Sequence, residues 1–108
     1  MNHDEALRRL NQCRDEIDGL DLRILELLND RTNIVEEIGR IKRELDLPIY
    51  EPKREDEVYR NVTSHNGGPL AADAVKRVFE RIIDEMRTIQ RVWMLEEEEE
   101  RQRRDKSC

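Results

Sequence analysis

The chain has 108 residues, of which 43% are charged and 36% hydrophobic, with only 4% aromatic residues, four glycines and three prolines. That composition suits long helices and argues against a β-sandwich or barrel, which needs frequent turns and β-branched or aromatic strands; the length suits one domain with a modest core. A net charge of −6 disfavours nucleic acid as a partner, no apolar run approaches the roughly 20 residues of a membrane span, and the N-terminus carries no signal-peptide pattern. Cys13 and Cys108 lie at opposite ends of the chain, which fits a reducing compartment better than a disulfide scaffold, so a soluble cytoplasmic protein is expected.

The first predicted helix runs from about Asp4 to Leu47 and is ended by Pro48, because proline disfavours helix in the residue before it. Leu7, Leu10, Arg14, Ile17, Asp21, Ile24, Leu28, Arg31, Val35, Ile38, Lys42 and Leu45 follow a 3-4 spacing without a miss, and eight of these twelve are aliphatic. This is the seam a helix buries against another helix. A helix of about 40 residues is roughly 60 Å long, far more than a compact monomer of this size can cover. An intertwined homodimer is the economical solution.

A second helix is predicted from Pro52, well placed as a first helical residue, to about Ser64. His65-Asn66-Gly67-Gly68-Pro69 then forms a concentrated breaker. A third helix starts near Ala71 and passes Trp93. From Glu96 the chain has no apolar face, so residues 96–108 are expected to be a fraying or disordered charged tail beyond a helical domain of residues 1–95. The predicted fold is all-α, with one very long and two shorter helices.

Charges on these packing faces carry the chemistry. A charge on a seam costs several kcal/mol unless it is paired or faces a polar ligand. Arg14 and Asp21 fit either an ion pair or a register device. Three cations with one acid on a single seam point further, to a small anion. Arg31 and Lys42, 11 residues apart, share a face about 16 Å apart along the axis, whereas Arg14 is about 42 Å from Lys42 and can serve the same site only from a partner helix. On the second helix Glu51 and Glu55 open the stripe of Val58, Tyr59 and Val62, beside Arg54. Helix-dipole and capping chemistry accounts for Glu51 about as well as a site does, and for Glu55 less well. On the third helix Gln90 is the one polar member of the face Val75, Phe79, Ile82, Ile83, Met86, Ile89 and Trp93. It either bridges backbones or serves a ligand.

His3 and His65 are isolated, so neither a metal cluster nor a catalytic triad can be assembled, and Cys13 reads as a packing residue. Gly67-Gly68 lacks the strand-loop-helix context of a phosphate loop. The faces together imply a closed polar pocket for a small polyanion carrying a hydroxyl. Its chemistry would rest on positioning and electrostatics.

Five segments carry a family resemblance: Arg14-Asp-Glu-Ile-Asp-x-Leu-Asp21, Leu27-Leu-Asn-Asp-Arg31, Glu37-Ile-Gly-Arg-Ile-Lys42, Pro48-Ile-Tyr-Glu-Pro-Lys-Arg-Glu55, and Val78-Phe-Glu-Arg-Ile-Ile83 followed by Gln90. In this order and spacing, over about residues 5 to 93, the chain resembles the AroQ class of chorismate mutases, all-helical intertwined dimers. The Asn66-Gly-Gly-Pro69 link further resembles mutase domains fused to 3-deoxy-heptulosonate-phosphate synthase, which keeps a shikimate-pathway synthase in view as a partner.

The resemblance implies cofactor-free rearrangement of chorismate to prephenate. By the same resemblance Arg31 and the partner chain's Arg14 hold carboxylates, and Lys42 and Gln90 donate to the ether oxygen. Glu55 accepts from the ring hydroxyl, with Glu51 and Arg54 shaping that end. Met86 departs from the pattern, standing where many members carry a small polar residue. A thioether cannot donate to a carboxylate, so weaker substrate binding is expected. Two other readings share the resemblance: a chorismate- or prephenate-sensing regulatory module, and an isochorismate-pyruvate lyase, which the acid at Glu55 disfavours.

Overall fold

The computed structural model describes residues 1–106 and contains three helices: α1 (His3–Glu44), α2 (Pro52–His65) and α3 (Ala72–Lys106). Cys108 lies outside the described residues. The chain divides into two compact units, Met1–Asn33 and a second from Ile34 onward, with the boundary inside α1.

In the first unit α1 opens with a reciprocal cap. The Glu5 N–H donates to Asn2 Oδ1 at 2.8 Å, and the Asn2 N–H reaches back to the Glu5 carboxylate at 3.4 Å. This satisfies two of the donors every helix start leaves orphaned. The seam residues Leu7, Leu10, Ile17 and Ile24 are all exposed, as are Leu20 and Leu27 on a second stripe beside them. That second stripe repeats every seven residues and continues through Ile34 and Ile41, both exposed as well.

The second unit holds the buried residues. On α1 they are Val35, Gly39 and Lys42, and on α3 Val75, Ile83, Met86 and Gln90. The 4-3 spacing on α1 makes one stripe. Gly39 faces side chains of α3: a Cβ there would lie 3.7 Å from Gln90 Cγ and 3.8 Å from the Trp93 ring.

The end of α1 comes three residues earlier than Pro48 alone suggests, and a local motif explains it. The Leu47 N–H donates to the Lys42 carbonyl at 2.7 Å and the Asp46 N–H to the Arg43 carbonyl at 3.2 Å, with Asp46 at φ 55°. This pairing closes a helix around one left-handed residue, usually Gly; an Asp accepts that conformation more readily than most residues. In the 66–71 link, Asn66 accepts from the Gly68 N–H at 3.0 Å and donates to the Leu70 carbonyl at 2.7 Å. Gly68 sits at φ 76°, where a side chain would be strained.

Within the described residues α3 continues past Glu96 to Lys106, so the charged tail extends the helix there. Two physical reasons support the extension. Glu97, Glu99 and Glu100 each precede an arginine by four residues, Arg101, Arg103 and Arg104, the favourable order for helical ion pairs. The last turn is basic, as the helix dipole prefers. Glu97 also pairs with Arg43, tying the extension to the last turn of α1.

Candidate functional site

Lys42 is buried at 8% exposure, an arrangement that requires partners. Its Nζ donates to the Ile49 carbonyl at 3.0 Å and lies 2.7 Å from Glu51 Oε1. Two of its three donors are thereby engaged, both in the link between α1 and α2. Glu51 occupies the N-cap position of α2, yet its side chain makes no capping hydrogen bond. The capping account of Glu51 therefore gives way to ion pairing. Its side chain remains 45% exposed, so water weakens the pair and can receive the carboxylate if another anion takes its place.

Gln90 is 7% exposed and engages the protein at one end only. Its Nε2 donates to the Val35 carbonyl at 3.5 Å, close to the limit of a hydrogen bond, and its Oε1 is buried without a partner. An orphaned buried acceptor costs about 1–3 kcal/mol, which is unusual for a purely structural amide. Bridging of two backbones is not what this side chain does. Gln90 meets α1 at Val35 and Gly39, and Lys42 is the next member of that stripe.

Glu55 lies one turn into α2 with its side chain 16% exposed. It faces Arg87 of α3, whose Nη2 donates to Glu55 Oε1 at 3.4 Å. Arg87 Nε lies 3.1 Å from Glu55 Oε2 but is not aligned for a hydrogen bond, so that contact is charge attraction alone. Arg87 also donates to Asp84 Oδ1 at 2.7 Å, and its guanidinium stands 5.3 Å from the centre of the Tyr50 ring. Nearby, Tyr59 has its phenol held above the usual tyrosine range, first by burial and then by the charges of Glu55, Glu80 and Asp84, with Arg87 opposing. Lys76 lies over its ring at 5.6 Å.

The structure thus brings together Lys42 with Glu51, and gathers Glu55 with Arg87, Asp84 and Tyr50. Met86 is buried on the α3 face, one turn before Gln90. Arg54 is exposed and pairs with Glu57 at 3.2 Å along its own helix. Arg14 and Arg31 belong to the first unit, the former exposed and the latter half-buried. Arg87 was not singled out by the sequence, although a signal exists: it falls four residues after Ile83 and three before Gln90, on their face of α3. Among the described residues no cluster of His, Cys, Asp and Glu could hold a metal ion, and no helix is long and apolar enough to cross a membrane.

Comparison with known proteins addresses the same region. Residues 13–91 match the family described as chorismate mutase type II. The chain is 36% identical over 81 residues to a bifunctional chorismate mutase/prephenate dehydratase of Aquifex aeolicus, covering 71% of this chain and 22% of that protein. It thus spans about a fifth of the length of such bifunctional relatives. A chorismate mutase of Methanocaldococcus jannaschii is 26% identical over 94 residues, with 83% of this chain and 92% of that one covered. Among solved structures, a chorismate mutase from Helicobacter pylori in complex with prephenate superposes with a TM-score of 0.77 at 30% identity, covering 82% of this chain and 97% of that one. One from Thermus thermophilus gives 0.76 at 36% identity, covering 77% and 94%. Sequence, helix order and the matched span agree, and the chain belongs to the type II chorismate mutase family.

Proposed function

We propose that this chain is a chorismate mutase, an isomerase that rearranges chorismate to prephenate in aromatic amino acid biosynthesis. The observation that carries the reading is the pair of polar residues buried among the apolar ones: Lys42 on α1 and Gln90 on α3, whose Nε2 has a second hydrogen beside the one given to the Val35 carbonyl. Lys42 and Gln90 donate to the ether oxygen as negative charge develops there, and preorganised donors of this kind contribute about 3–4 kcal/mol each in a site that excludes water. Arg31 and Arg14 hold the substrate carboxylates, Arg14 coming from a second copy of the chain. Glu55 accepts from the ring hydroxyl, while Glu51, Arg54 and Met86 shape the surrounding wall.

The exposed apolar stripes of α1 support a homodimer, because a helix with two aliphatic stripes in water lacks the burial that would stabilise it. The catalytic domain comprises residues 1–95, the charged extension of α3 is an appendage to it, and the cytoplasm is its place of action.

The test follows chorismate absorbance with purified protein and with Lys42→Ala, and identifies prephenate by acid conversion to phenylpyruvate. Rapid loss in the parent and its abolition in the variant support the proposal. Saturable binding without turnover points instead to a regulatory module, and absence of both overturns any role for chorismate.

A further inference from the structure

Arg87 binds from two sides. Asp84, one turn earlier on α3, accepts from Nη2 of the guanidinium at 2.7 Å, and the Tyr50 ring lies against its face. The same Nη2 donates to Glu55 Oε1 of α2 at 3.4 Å, and Nε lies 3.1 Å from Glu55 Oε2, so the Nε–Nη2 side of the guanidinium faces that carboxylate. A planar fork held in this way fixes the direction of a carboxylate, which an ammonium on a flexible stem does not.

We propose that Arg87 is a positioning residue that orients the Glu55 carboxylate and offsets its charge, so that a dianionic substrate can be held beside it. The inference rests on the mutase reading above. Glu55 is largely withdrawn from water, and a bare carboxylate there would repel a ligand that itself carries two. One like charge about 12 Å away, at the effective dielectric of about 20 found near a protein surface, corresponds to about a tenfold loss of affinity. The cation that removes this repulsion comes from a different helix from Glu55, so the orientation depends on α2–α3 packing as well as on α2 itself.

The test is a double-mutant cycle read in chorismate kinetics, using the parent, Arg87→Met, Glu55→Gln and the double variant. Arg87→Met is expected to raise KM about tenfold and lower kcat less, while in the Glu55→Gln background the same change moves KM less than about threefold. Arg87→Lys, which keeps the charge and loses the fork, should recover most of KM and less of kcat. Circular dichroism confirms that each variant folds, and if Arg87→Met does not, the same cycle is run with Arg87→Gln. An equal rise of KM in both backgrounds overturns the inference, because Arg87 would then act on substrate or fold without Glu55. An unchanged KM overturns it too. Loss of turnover in the parent chain itself would instead overturn the mutase reading, and this inference with it.

Discussion

Glu51 lies 2.7 Å from the ammonium of Lys42 and leaves the backbone of its own helix uncapped. A half-exposed acid at a helix start ordinarily serves the orphan N–H groups and the dipole there. A buried ammonium nearby is the stronger claim, because its cost unpaired is several kcal/mol against about one for a cap. The same balance explains why Lys42 is tolerated among the buried residues before any substrate arrives.

Lys42→Met keeps the apolar stem and removes the charge. It should lower kcat/KM by about a thousandfold through loss of one donor to the developing charge. Its melting temperature should change little, since Glu51 is already half in water and rehydrates. Steady-state kinetics and thermal melting read the two effects separately; activity within tenfold of the parent would remove Lys42 from the chemistry.

Gln90 donates whatever the pH, whereas a glutamate donates only when protonated. The parent enzyme should therefore show nearly constant activity between about pH 6 and 9. Gln90→Glu should be most active at the acid end and decline as pH rises. A steep alkaline loss in the parent would contradict the donor role.

Gly39 has room for one carbon and no more. A Cβ meets Gln90 Cγ at 3.7 Å and Trp93 at 3.8 Å, both ordinary contacts. Gly39→Ala should stabilise by roughly 0.5–1 kcal/mol through helix propensity, with activity retained. Gly39→Leu should cost about 1–3 kcal/mol by overpacking and displace the amide of Gln90, lowering turnover as well. Denaturant melts of the two variants should move in opposite directions.

The phenol of Tyr59 has its pKa raised in the folded state, so folding favours the protonated form. Its contribution is intact below the ordinary tyrosine pKa of 10.0 and is lost as pH rises from there towards the folded value. Tyr59→Phe should flatten this alkaline decline in stability. In an ultraviolet phenolate titration the transition it removes should lie above pH 10.0. A transition lost at or below pH 10.0 would show that the phenol is not raised.

Much of this architecture is legible in the chain because helices announce themselves by period and end at backbone-forbidding residues. The 3-4 spacing from Leu7 to Leu45, Pro52 and the Asn66–Pro69 breaker place all three helices. What escapes has identifiable causes. The helical extension from Glu96 is held by four-residue charge spacing and the Glu97–Arg43 pair, features invisible to a search for apolar faces. Arg87 passes for a solvated arginine until the fold sets Glu55, Asp84 and Tyr50 around it. Glu51 has two plausible employments from sequence, and only the coordinates of Lys42 separate them.

The turn after α1 carries a consequence for how this chain can change length. Lys42 receives the Leu47 N–H on its carbonyl, and its side chain grips Ile49 and Glu51 further along. One residue thus anchors both ends of the connection, and the number of residues between them is set from a single point. An insertion there would pull the anion off the ammonium or unwind the last turn. The 66–71 link is closed by its own Asn66, with no residue of the buried polar pair involved. Additional residues, affinity tags or new chain termini therefore belong in the second link, and the first behaves as a fixed spacer.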